Sequence, residues 1–513
     1  MNKTRTQNVI KNMWVGTMFQ IISLILGFVS RTIFIKILGK EYLGLNSLFT
    51  NILTILSFAE LGIGNAIVFS MYKPLANNDQ DKLMRLTNFY KSIYKKIALT
   101  IITVGLLITP FLPYIIKEIP DIKESIYLIY IIFLFDTSVS YFFSYRTSII
   151  SADQKNYIII TYTHIFKIVQ IILQLSLLYY THNYLLYLFL QVLNTVLTQW
   201  FLANKSKKMY PSLAKLDKDK TLANDERKSI FTNVKALFVY KFSSVILNGT
   251  DSIIISKYLG LATLGLYSNY YLIVNAVAIM INQIQSAFTS SIGNLIAKEG
   301  KVKEKRIFNQ LFYFTGFIYT VVGTCLYLLF NDFITLWLGQ EYLLSNFVVA
   351  TIVGHLCFNG MLFATFTYRN TSGEFNHFKL VPVIGAITNI VLSIWFAKIM
   401  GLGGVFLATI ISRLISGGWT DPYIVYKYVF KEPIKDYLIR VVKMIIHMAI
   451  CFTLTFFITK NIAVPTFLMF VIKGIIVAFL SILFYLLFSF KTEEFIGIKN
   501  ALMHFIRRKE HKA

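Results

Sequence analysis

LGKEYLGL, Leu38 to Leu45, and LGLATLGL, Leu259 to Leu266, stand 221 positions apart, and each closes one long apolar run and opens another. The same offset aligns Ser47 with Ser268, Leu75 with Ile296 and Ala76 with Ala297, after which both copies enter a Lys-rich polar stretch. The chain reads as a duplicated membrane protein. Two alike halves point to a transporter with its site between them.

Composition agrees. Of 513 residues 56% are hydrophobic and only 15% charged, too apolar for a soluble protein of this size. The 50 Lys and Arg against 25 Asp and Glu give a net charge of +25. These cations sit in short clusters between apolar runs, which fits a membrane partner and not a nucleic acid. Cys325, Cys357 and Cys451 are dispersed in apolar segments without metal-ligand spacing, so neither a disulfide framework nor a zinc site is expected. The basic N-terminus runs into an apolar stretch interrupted by Gln20 and Arg31, which reads as a retained first span.

At roughly 20 apolar residues per crossing, spans fall near 10–38, 44–71, 93–116, 126–149, 157–180 and 184–203. The second set falls near 231–258, 265–293, 308–331, 345–367, 378–399 and 403–426, and a final pair near 438–459 and 464–489. The expected fold is therefore all-α and polytopic, with about fourteen transmembrane helices. Its expected parts are an N-lobe (1–203), a cytoplasmic linker (204–229), a C-lobe (230–428), and helices 13 and 14 with a basic tail (429–513). Loops on one side hold Lys73, Lys82, Arg85, Lys91, Lys205, Lys207 and Lys208, while opposite loops are nearly free of cations. That asymmetry places both termini in the cytoplasm. The first and seventh helices are six spans apart and run the same way, so the repeats are parallel.

Eight ionisable residues are placed deep within the spans: Arg31, Glu60, Asp136, Lys167, Lys241, Asp251, Arg413 and Lys473. Facing lipid they would cost on the order of 20 kcal/mol together, so they face a wet cavity or one another. Lys241 and Lys473 are near enough to an interface to snorkel, and Asp136 with Lys167 could pair as structural glue. Arg31 and Arg413 lie too deep for that. Arg31, Lys167, Lys241 and Arg413 are the candidate substrate-binding cations, and a cavity lined by them favours an anion such as phosphate. Glu60, before the glycine-loosened Leu61 to Gly64, and Asp251 are the candidate acids for gating or ion coupling. The offset matches Arg31 with Ser252 and Ser30 with Asp251, so Arg31 and Asp251 are expected to face each other across the pseudo-twofold axis and to pair when the outward gate is shut. His355 and His447 read as packed side chains. No phosphate loop for ATP appears and no cofactor is expected.

The run SRTIFIKILGKEYLGLNSLFTNILTILSFAELGIGNAIVFSMYKPLA, Ser30 to Ala76, resembles the opening of bacterial polysaccharide transporters. These are the O-antigen and capsule repeat-unit flippases of the multidrug/oligosaccharidyl-lipid/polysaccharide flippase superfamily. Chain length, span number and GLGGVFLATIISR, Gly401 to Arg413, extend the resemblance over the chain. It implies two six-helix lobes in a V-shape plus two helices in the bacterial cytoplasmic membrane. It also implies alternating-access movement of an undecaprenyl-pyrophosphate-linked oligosaccharide, with Arg31, Lys241 and Arg413 in a cationic cavity and polysaccharide-assembly enzymes as partners. The alternatives are a lipid II flippase, a cation antiporter of the same superfamily, whose substrates would favour an acidic cavity, and a membrane glycosyltransferase or polymerase. The last should carry a sizeable outer loop with catalytic residues, yet the longest polar stretch is the cytoplasmic linker.

Overall fold

The computed structural model describes residues 2 to 500 apart from 61–62, 214–216, 218–219, 229, 231–248, 297–300 and 373–379. Among the described residues every regular element is helical. Eleven helices are long and apolar enough to cross a bilayer. One of these, Val381–Phe430, has 50 residues, more than twice what a ~30 Å hydrocarbon core needs at about 1.5 Å per residue. It folds back at Gly401, whose φ of 65° and ψ of −144° lie outside the helical region, and so makes two crossings. The second expected span is present but broken. It comprises α2 (Lys40–Leu56), a 3₁₀ turn at Ser57–Glu60, and α3 (Ile63–Ala76). With the folded span counted twice and the broken one once there are thirteen crossings, and most of the remaining one, expected at 231–258, lies outside the described residues. This is a multi-pass, all-α membrane protein.

The chain divides into two compact units, Met1–Ser268 and Asn269–Ala513. In the first, α1 (Asn2–Leu38) packs on α6 (Asn156–Thr181), while α5 (Ile126–Ala152) packs on both α4 (Gln80–Ile108) and α7 (Tyr184–Met209). In the second, α9 (Lys301–Trp337) runs against α10 (Asn346–Met361), which α11 (Phe363–Ser372), α12 (Val381–Ile415) and α13 (Gly417–Ile424) follow in the chain, and against the final pair, α14 (Lys435–Thr459) and α15 (Phe467–Ser489). Helix α8 (Leu261–Ile296) begins in the first unit and continues in the second. An aromatic core of Phe308, Tyr368, Tyr426, Phe430 and Tyr437 fills one end of the second unit. Ile172, Leu173, Ile445, Ile446, Ile475 and Phe479 are exposed, as the outer faces of helices solvated by acyl chains should be.

Local chemistry sets the helix starts. The carboxylate of Asp79 accepts from the Lys82 amide at 2.9 Å, and Asn183 does the same for Leu186 at 3.1 Å. These N-caps satisfy donors that the first helical turn leaves open. The Asp79 cap, together with the Asp81–Arg85 pair one turn apart at 2.7 Å, lets α4 begin at Gln80. The helix thus extends about three and a half turns ahead of the apolar span expected at 93–116. The linker docks on this extension, through Lys82–Glu226 and Lys220–Asp81, both at 2.6 Å, and through Asn88 donating to the Asp217 and Lys220 carbonyls.

Candidate functional site

The two signature turns meet. Gly39 and Gly260, equivalent under the repeat, have φ of 86° and 95°, a region that glycine enters without the Cβ penalty. Each therefore ends one helix and starts the next at once. Beyond the turns the contact is reciprocal. A methyl group added at Gly44 would stand 2.1 Å from the carbonyl oxygen of Leu261, and one added at Gly265 would stand 2.1 Å from that of Lys40. Lys40 and Leu261 are themselves repeat equivalents, as are Gly44 and Gly265. The two turns are thus related by a local pseudo-twofold axis, with backbone against backbone where glycine leaves room.

Arg31 lies two turns before Gly39 on α1. Its guanidinium donates to the Ser268 hydroxyl at 2.9 Å, and Ser268 donates to the Gly265 carbonyl at 2.8 Å, which ties the charge to the reciprocal contact. The expected partner, Asp251, is buried in the helical segment 249–259 but is not ion-paired with Arg31. The guanidinium meets instead a hydroxyl on the helix that follows the second turn. The equivalent positions in the other repeat are Ser252 and Ser47, both neutral. Charge enters this arrangement from one repeat only. Phe34, one turn along α1, packs edge-on against Tyr184 and Tyr187 at 5.9 and 5.3 Å between ring centres. Tyr42 joins Tyr184 at 4.9 Å and donates to Glu124. The helical turn after Arg31 thus packs on a cluster of phenols, in which Tyr184 is fully buried and the Tyr42 hydroxyl is taken up by Glu124.

A sequence profile describing polysaccharide biosynthesis proteins matches residues 9–289, more than half of the chain and all of the elements just described. The chain belongs to this family. No curated protein matches it in sequence. Among solved structures, a lipid II flippase, MurJ, in an inward closed conformation is similar with a TM-score of 0.63 at 18% identity, covering 92% of this chain and 98% of that one. An inward-facing multidrug resistance MATE family transporter of the MOP superfamily gives a TM-score of 0.61 at 15% identity, covering 80% and 96%. A MATE protein in complex with MaL6 gives 0.52 at 13%, covering 82% and 95%. At these identities the likeness is one of fold.

The other expected site residues of this polysaccharide biosynthesis protein have separate surroundings. Glu60 stands in the 3₁₀ turn of the broken second span, where its carboxylate accepts from the Tyr94 hydroxyl at 3.3 Å. The space a side chain would take at Gly64 is filled by that hydroxyl and that carboxylate, so the glycine lets Glu60 turn inward. Lys167 and Asp136 do not pair as expected. Lys167 donates to Gln170 one turn along α6 at 3.1 Å, and Asp136 accepts from Gln191 at 2.9 Å; a glutamine beside each supplies the hydrogen bond that an ion pair would have supplied. Arg413 lies near the end of α12 (Val381–Ile415), in the second unit. Lys241 lies outside the described residues. Lys473 does not snorkel: it is buried and paired with Asp332 at 2.8 Å. His447 stacks on Tyr485 at 5.2 Å, and His355 bonds Asn359 at 2.8 Å.

Two features escaped the sequence reading. Arg369 and Asp421, at the ends of neighbouring spans, form a buried ion pair. The linker, read as a connector, closes one side of a cavity of about 570 Å³ on α4. For the second, the capping Asp79 and the Asp81–Arg85 spacing were the available signals.

Proposed function

We propose that this protein moves a polyprenyl-pyrophosphate-linked oligosaccharide from the cytoplasmic to the outer leaflet of the bacterial cytoplasmic membrane, for assembly of a surface polysaccharide. The observation that carries the reading is Arg31, a guanidinium within the first span whose partner is a neutral hydroxyl. An arginine so placed keeps its whole charge for a ligand, and a pyrophosphate is the ligand whose geometry it grips with two parallel hydrogen bonds. Membership in the polysaccharide biosynthesis family and a fold shared with a lipid II flippase support the same substrate class. The duplicated spans support a lateral path for the polyprenyl chain, and the basic loops support cytoplasmic termini. Arg31 is the proposed headgroup contact, joined by Lys167, Lys241 and Arg413, with Glu60 and Asp251 as the acids that answer to an ion gradient. The cytoplasmic loops are the proposed docking points for assembly enzymes.

The test is the lipid-linked oligosaccharide pool of the source cell after depletion, read by extraction and mass spectrometry, with wild-type or Arg31→Ala copies restored. Accumulation of a pyrophosphate-linked oligosaccharide, cleared by the wild type and at least tenfold less by Arg31→Ala, is the expected result. An unchanged pool with intact surface polysaccharide overturns the reading and favours a cation antiporter of the same fold.

A further inference from the structure

We infer that α4 and the linker together form a docking site for the diphosphate group of a prenyl-type lipid, distinct from the Arg31 position and built by residues more than 120 positions apart. The inference deepens the proposed function by placing a first contact for the same substrate class, and it rests on that reading for its biological meaning only.

The cavity between α4 and the linker has Asn88, Ser92, Lys96 and Thr100 along one wall and Lys220, Thr221 and Arg227 on the other. Its walls are held in place. Leu222 is only 3% exposed, Asn88 bonds two linker carbonyls, and two ion pairs pin the linker to α4. Those ion pairs also sort the charges. Lys220 is neutralised by Asp81, and Glu226 by Lys82, whereas neither Lys96 nor Arg227 has an ion-pair partner among the described residues. Among the described residues no carboxylate lines the cavity. The Arg227 guanidinium rests over the Phe89 ring at 5.7 Å, and its Nε is buried without a hydrogen-bond partner. A buried donor left open costs free energy of about 1–3 kcal/mol, and more when charged, so this one has the character of a site awaiting an acceptor.

Two uncompensated cations and the hydroxyls of Ser92, Thr100 and Thr221 fit an anion with several acceptor oxygens and about two negative charges. Most of the remaining lining is aliphatic, with Ile63, Ile93 and Ile97 leading toward the broken second span. Inorganic diphosphate would leave that wall without a partner. A diphosphate carrying a prenyl stem occupies both parts.

The experiment is binding of farnesyl diphosphate, a short soluble probe, to the full-length protein in zwitterionic lipid nanodiscs, with inorganic diphosphate and farnesol as comparators. Saturable binding of farnesyl diphosphate is expected, weakened about tenfold by Arg227→Gln and about tenfold by Lys96→Gln, as loss of one charge-assisted contact implies. Lys91→Gln, one turn from the cavity wall, should change nothing. Thermal unfolding of each variant separates lost binding from lost folding. Unaltered binding in both cavity variants, equal weakening by Lys91→Gln, or equal affinity for inorganic diphosphate or farnesol overturns the site. Arg31→Ala should retain probe binding, so a negative lipid-pool result with cavity-dependent binding would remove the proposed transport and leave the docking site standing.

Discussion

The two units treat deep charge in opposite ways. In the second, cations meet anions: Arg369 with Asp421, and Lys473 with Asp332. In the first, Arg31 meets a serine, Lys167 a glutamine, and Asp136 another glutamine. An ion pair cancels its own field and serves packing. A charge held by a neutral dipole is oriented but not cancelled, so its field remains available to whatever enters the membrane-spanning region. Among these residues, the first unit orients its charges with neutral partners, and the second cancels them in pairs.

Substitutions that remove one charge at a time test this division, beginning with the pair that should matter most. Arg369→Met leaves Asp421 alone in a buried site, and a loss of about 3–5 kcal/mol of stability is expected in thermal or denaturant unfolding of the detergent-solubilised protein; Arg369→Met with Asp421→Leu should recover most of it. A double variant no better than the single one would mean that the pair is not the unit of stability. Lys473→Met should cost less, about 1–3 kcal/mol, because the Asp332 side chain keeps 30% of its exposure and can be rehydrated. Lys167→Met marks the other side of the comparison. Asp136 is within electrostatic reach of Lys167 but not in contact with it, so the loss should be smaller than for either ion pair, about 1 kcal/mol, and a loss matching that of Arg369→Met would erase the distinction between the units.

Much of this was legible because membranes impose coarse rules. Apolar runs gave the spans, basic clusters gave the loops, and the paired LG turns gave the duplication. The break at Glu60 was also written in the chain, since Leu61 to Gly64 places two glycines where a helix tolerates them poorly. What stayed hidden were partners. Asp332 stands at the end of a span and does not count as membrane-buried when spans are read singly, yet α15 brings Lys473 to it. Arg369 stands just past the span expected at 345–367 and Asp421 toward the end of that expected at 403–426, so neither is read as deep when spans are taken singly. Gln170 and Gln191 carry no charge and attract no notice in a hydropathy reading, although they are the hydrogen-bond partners of Lys167 and Asp136. The cap at Asp79 was readable, but that α4 would offer its extension to the linker depends on residues more than 120 positions away.

The reciprocal contact of Gly44 with Leu261 and Gly265 with Lys40 has a genetic consequence. Each copy of the duplicated segment supplies the gap that the other copy's main chain occupies, so a change at either glycine codon is felt by the partner copy. Because the atoms nearest each glycine belong to the main chain of the other copy, the contact does not depend on side-chain identity at Lys40 or Leu261, and positions two turns away have diverged to arginine at 31 and serine at 252. Two inherited copies could therefore acquire unlike chemistry while remaining locked to a common geometry.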